Sequence, residues 1–193
     1  MSGRRLPKTL TREEAQALLA MPNLDTPTGL RDRCILELQY KAGLRVSECC
    51  KVHLRDVDWQ DGFVRLRPEV AKYGHEAVLP LAEPSLDLLK RWKGVRRKLA
   101  AGAPFLFVTH SGRALIRQDI GAMVKRRAEK AGIERPVSPH VLRHSFATEL
   151  LAEGFTIREV QELMRHRHLE TTTVYLEVRP EHLAARVRER SRR

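Results

Sequence analysis

Between residues 52 and 81 the chain abandons the helical spacing that dominates elsewhere, and this interruption limits the fold more than any other feature. Gly62-Phe-Val-Arg-Leu-Arg67 alternates apolar and basic side chains, the period of a half-buried strand, and residues 77–81 are extended in character. Trp59-Gln-Asp-Gly62 supplies a turn, so the interval reads as a small antiparallel sheet with Lys72 at a hairpin tip. On both sides the pattern is helical. Thr11-Arg-Glu-Glu14 is a capping box that opens a helix to about Met21, and residues 27–29 precede a second helix carrying Leu30, Cys34, Ile35, Leu38 and Ala42. Both helices are expected to be strongly amphipathic. Leu86, Leu89, Trp92 and Val95 mark a helix over residues 84–99, and residues 105–108 form a short strand or extended segment. Residues 117–131 are helical and end at Gly132, a further helix starts after Pro139, and Thr156-Ile-Arg-Glu159 is a second capping box. The expected class is mainly α with a small antiparallel β-sheet, in one domain.

Composition narrows the partners. Lys and Arg outnumber Asp and Glu by 36 to 24, giving +12 and a pI near 10.3, a footprint for polyanions that basic ribosomal or membrane-surface proteins share. Only 5% of residues are aromatic, too few to build stacking platforms for single strands, so duplex backbone is the better target. No run of about eighteen apolar residues exists, and Met-Ser-Gly-Arg-Arg-Leu-Pro lacks a signal-peptide core, so the expected location is the cytoplasm, on the nucleoid, with no membrane partner. The 3 cysteines, two of them adjacent at Cys49 and Cys50, form no disulfide framework, and Cys34 lies on an apolar helix face. They read as packing residues.

The chemistry concentrates near the end. Tyr175 closes the stretch His166-Arg-His-Leu-Glu-Thr171-Thr172-Thr-Val-Tyr175. A phenol has a pKa of about 10, so about one molecule in a thousand is ionised near neutrality, and an attacking tyrosine needs an imidazole or a cluster of cations. His140 and Arg143 share one face of the helix that follows Pro139. Gly43 fits the residue past a helix end, where a left-handed turn makes Arg45 project from a terminus with Glu48 to brace it. Each residue also has a plainer reading. A late tyrosine is usually a packing residue, Arg45 can be a helix-terminal charge and Lys72 an exposed hairpin lysine. His140 and His144, four apart, suit a zinc pair, but no Glu lies between them and no other motif completes a site, so no metal and no cofactor are expected. His144 reads as structural and His168 as solvated. Residues 146–165 also fit a helix-turn-helix about Gly154, as in a noncatalytic regulator.

The order Arg45, Lys72, His140-x-x-Arg143, His166, Tyr175 resembles the tyrosine recombinase/integrase family, particularly its Xer-like and phage-integrase branches, over nearly the whole chain from about Leu6. The resemblance implies the catalytic-domain fold of that family and metal- and ATP-independent DNA strand transfer. Tyr175 would attack a scissile phosphodiester, giving a 3′-phosphotyrosine and a free 5′-hydroxyl. Arg45 and Arg143 would clamp the non-bridging oxygens with His166 assisting, His140 would act on the tyrosine proton, and Lys72 would protonate the leaving oxygen. Lys72, Arg117, Gln118 and Arg165 are the expected DNA contacts. A type IB topoisomerase shares this chemistry and is the near alternative. Two departures stand out: Met164-Arg165-His166 replaces the family's usual Leu-Gly-His, and Tyr73 replaces a glycine after the lysine.

The likeness divides the chain into a catalytic domain over residues 1–179 and a basic tail over residues 180–193. The tail carries a narrow apolar stripe of Leu183, Ala184 and Val187. In similar recombinases a C-terminal helix packs into the neighbouring protomer, which implies dimers to tetramers on DNA; the other reading is a frayed basic tail. The separate N-terminal helical domain typical of the family has no counterpart before Leu6, which fits an isolated catalytic fragment or a compact member that binds with half a clamp.

Overall fold

The computed structural model describes residues 9–71, 74 and 76–165. In chain order these form α1 (Arg12–Ala20), α2 (Pro27–Lys41), α3 (Val46–Lys51), a single 3-10 turn (Leu54–Asp56), β1 (Val57–Asp58), β2 (Phe63–Leu66), β3 (Ala77–Pro80), α4 (Glu83–Leu99), α5 (Arg117–Lys130), α6 (Pro139–Ala152) and α7 (Ile157–Leu163). The class is the one the periodicities imply. Strands β1, β2 and β3 form one antiparallel sheet in that order, with Val57 opposite Val64 and Phe63 opposite Pro80. Val64 and Leu66 point into the core and Arg65 points out, as strand alternation requires.

Both capping boxes form. Thr11 Oγ1 accepts from the Glu14 amide while the Glu14 carboxylate accepts from the Thr11 amide, and Thr156 and Glu159 repeat the arrangement at α7. Helix α1 is amphipathic, with Ala15, Leu18 and Leu19 inward. Helix α2 is not, which corrects the expectation: it packs against α1, α4 and α6 and is buried on nearly every side from Leu30 to Tyr40. Its polar residues are therefore core residues, and burying a carboxylate demands matched donors. Asp32 receives two N–H groups from Arg31 and two from Arg127 of α5, at 2.7 to 3.3 Å. Glu37 receives two from Arg33 and one O–H from Ser85 of α4.

Residues 105–108 do not form the expected strand or extended segment: the chain bends at Leu106 and Phe107 and is tied to the rest of the core by isolated bridges at either end. Phe105 bridges His53 and Val108 bridges Ala114, while the Trp92 indole N–H donates to the Leu106 carbonyl at 2.8 Å. The buried Arg96 guanidinium of α4 donates to the carbonyls of Phe105, Ala103 and Ala100. Arg96 thereby satisfies carbonyls that no ladder reaches. Cys34 and Cys49 are fully packed, as packing residues should be.

Candidate active site

Three separated parts of the chain meet at one corner. The first is the α2–α3 connection. Gly43 follows the C-cap residue of α2 at φ +63, where glycine alone is unstrained, and a Cβ there would stand 2.8 Å from the Phe146 ring of α6. The tight turn makes Arg45 the N-cap of α3, and the Glu48 carboxylate accepts from the Arg45 amide at 2.8 Å and from Arg45 Nη1 at 3.0 Å. The brace expected from the three-residue spacing is present.

The second part is α6. Arg143 is buried and donates through Nη1 to the Gly43 carbonyl and through Nη2 to the Met164 carbonyl. His140 lies exposed one turn earlier, above the Ser138 N-cap. Burial, then the neighbouring Arg165 and Arg45 charges, pushes Arg143 down to about 9, so it is still a cation at neutral pH. His144 is shifted down by burial and then by the neighbouring His140, which favours its neutral imidazole.

The third part is the end of α7. Arg45 Nη2 donates to the carbonyls of Met164 and Arg165 at 3.3 and 3.0 Å. Arg165 Nη2 reaches Glu48 at 2.7 Å and the Gly43 carbonyl at 3.1 Å. Burial alone would raise the Glu48 carboxyl, but the Arg165 charge, the Arg45 amide and the Arg45 guanidinium together hold it below its ordinary value. The corner therefore holds three guanidiniums around one fully buried carboxylate. Beside it, a groove of about 500 Å³ separates β3 from α7, lined among others by Phe63, Val78, Pro80, Glu162 and Arg165. An excess of fixed cations with N–H groups facing backbone carbonyls suits an anion bound by its oxygens.

Arg45 and Arg143 are thus brought together. Arg117 and Gln118 are exposed in the first turn of α5, whereas the Arg165 guanidinium turns inward. Lys72, His166 and Tyr175 lie outside the described residues. The sharing of Glu48 between Arg45 and Arg165 escaped sequence reasoning, since nothing local signals a contact 117 residues apart. Among the described residues no three His, Cys, Asp or Glu side chains gather as a metal site, and no helix is long and apolar enough to cross a membrane.

The sequence profile of the phage integrase family matches residues 8–182. This chain belongs to that family. Its curated relatives include the tyrosine recombinase XerD of Xanthomonas axonopodis pv. citri, 45% identical over 190 residues that cover 93% of this chain and 61% of the relative. The tyrosine recombinase XerC of Thermodesulfovibrio yellowstonii is 36% identical over 186 residues, again covering 93% and 61%. The chain spans about three fifths of the length of such relatives. Among solved structures, XerA recombinase superposes with a TM-score of 0.77 at 28% identity, covering 97% of this chain and 66% of that one. XerH recombinase in a post-cleavage complex with palindromic difH gives 0.72 at 26% identity, covering 84% and 47%. The fold is that of a tyrosine recombinase catalytic domain, as the order of residues implied.

Proposed function

We propose that this chain is a site-specific DNA recombinase that cleaves and rejoins duplex DNA through Tyr175. The observation that carries the reading is the convergence of Arg45 and Arg143, from α3 and α6, on the end of α7 that leads directly into His166. The phenolic oxygen of Tyr175 attacks phosphorus in line, the P–O bond to the 5′-oxygen breaks, and a 3′-phosphotyrosyl ester forms. His140 takes the phenol proton and Lys72 gives one to the departing 5′-oxygen. The base of the hairpin that carries Lys72 flanks the groove beside Arg165, which supports its part in the site. Attack by a 5′-hydroxyl on the phosphotyrosine reverses the bond changes and rejoins a strand, so neither metal nor ATP is required. Negative charge grows on the non-bridging oxygens as the nucleophile adds, and the arginine forks with His166 stabilise that stage more than the ground state.

Duplex DNA is the substrate, and Arg117, Gln118 and Lys72 are its contacts outside the reacting phosphate. Residues 1–179 act as the catalytic domain, and residues 180–193 join protomers into dimers and tetramers on DNA in the cytoplasm, at the nucleoid. The test is covalent capture from a randomised duplex library, comparing the parent protein with Tyr175→Phe. A denaturant-resistant adduct in the parent alone supports the reading; its absence from both, or its presence in both, defeats it. Relaxation of supercoiled plasmid without any preferred site would indicate topoisomerase action instead. Affinity should fall with salt at a log–log slope of about −0.9 per phosphate contacted. Deleting residues 180–193 should weaken assembly more than single-strand cleavage.

A further inference from the structure

Arg165 stands where the family's usual motif has glycine, and it is a costly choice for the backbone. It is the non-glycine residue with positive φ among the described residues, at +52, a conformation that disfavours any side chain with a Cβ. Its side chain is nevertheless ordered inward, 13% exposed, with Nη2 on Glu48 and the Gly43 carbonyl and Nη1 on the Leu163 carbonyl. A solvated DNA contact needs none of this.

We propose that Arg165 is a positioning residue for the phosphate clamp: it shares the charge of Glu48, so that Arg45 keeps its net positive charge and spare N–H groups for the scissile phosphate. The proposal rests on the recombinase reading above. Glu48 is fully buried, and without Arg165 its only charged partner in direct contact among the described residues would be Arg45. Such a pair would hold Arg45 to the carboxylate and blunt its attraction for an incoming anion. With Arg165 present, the three guanidiniums and Glu48 leave two uncompensated positive charges. A phosphodiester carries one negative charge and approaches two as tyrosine adds. The extra cation therefore matches the transition state more than the bound substrate, and its loss should slow chemistry more than it weakens binding.

Arg165→Gly is the informative variant, because glycine adopts φ +52 freely and keeps the backbone carbonyl that receives Arg45 Nη2. On duplexes recovered by covalent capture, its single-turnover cleavage should fall about 10- to 100-fold, as when a partner that orients a reacting group is removed from a metal site. Its Kd for the same DNA should move less than about threefold. Adding Glu48→Gln to Arg165→Gly should recover part of the rate, since a neutral amide no longer holds Arg45 as an ion pair. Cleavage at the parent rate, or equal losses in rate and affinity, would overturn the proposal. A second measurement needs no DNA: in a carbon-13 NMR titration the Glu48 carboxyl should titrate at higher pH in Arg165→Gly than in the parent. An unchanged Glu48 titration also overturns it. If the parent itself forms no Tyr175-dependent adduct, the recombinase reading fails separately, and the titration still decides whether Arg165 governs that carboxylate.

Discussion

Two buried carboxylates in this molecule, Asp32 and Glu48, are each held by two arginines, and the four arginine side chains are almost equally exposed, between 13% and 15%. Their geometry separates them. Arg31 and Arg127 each present two N–H groups to Asp32, fork against carboxylate, so all four lone-pair directions are filled. Around Glu48, Arg45 and Arg165 present one side-chain N–H each, the Arg45 amide supplies another contact, and Arg143 stands by without touching the carboxylate. The first is a strut between α2 and α5. The second leaves donors over, directed at the Met164 and Arg165 carbonyls, and in the proposed reading a phosphate oxygen takes them. The same residue types make a brace or a clamp according to how many N–H groups the carboxylate occupies.

Removing one charge from each cluster tests the contrast most sharply. Arg45→Ala or Arg143→Ala should lower cleavage by roughly 10³ to 10⁵, the worth of a transition-state arginine in phosphoryl transfer. DNA affinity measured alongside should change little, and comparable losses in both would place these arginines in general binding. Asp32→Asn should do the reverse. It strands Arg31 and Arg127 without their carboxylate and should cost about 3–5 kcal/mol in denaturant unfolding. The cleavage rate per folded molecule should be preserved, and a rate collapse in fully folded protein would erase the distinction between strut and clamp.

Gly43→Ala probes the turn that serves the clamp alone. The positive φ and the Phe146 contact together should cost about 2–4 kcal/mol, read from unfolding, with cleavage reduced because the Gly43 carbonyl anchors Arg143 and Arg165. Stability equal to the parent would mean the turn is free to rearrange. The smallest effect concerns pH. The folded Glu48 carboxyl titrates below its ordinary 4.5, so its ionised form contributes stability that is fully present above that pH and lost as pH falls through the folded value. Unfolding free energies of the parent and Glu48→Gln should therefore converge as pH drops below about 4.5. Parallel curves would show that Glu48 carries no such linkage.

Much of the clamp was legible because its grammar is local. Gly43 past a helix end, Arg45 at the next N-cap and Glu48 three residues on require only knowledge of how helices stop and start. Both capping boxes were readable for the same reason, as was the sheet from its alternation. Helix α2 was misjudged because periodicity reports which side chains are apolar, and a helix surrounded by α1, α4 and α6 buries its polar residues too. A carboxylate inside an apolar helix does signal that a cation must come, but 36 lysines and arginines were available to supply it. The spacing of His140 and Arg143 placed them on one helix, yet did not tell that Arg143 is buried while His140 is exposed.

By itself the sequence determined the helices and their caps, the small sheet, the basic character and the order of residues that marks the family, because each depends on neighbours in the chain or on composition. Only the tertiary structure decided which arginine meets which carboxylate. Arg127 reaches Asp32 across 95 residues and Arg165 reaches Glu48 across 117, and Coulomb attraction depends on distance in space after folding, on which sequence separation is silent.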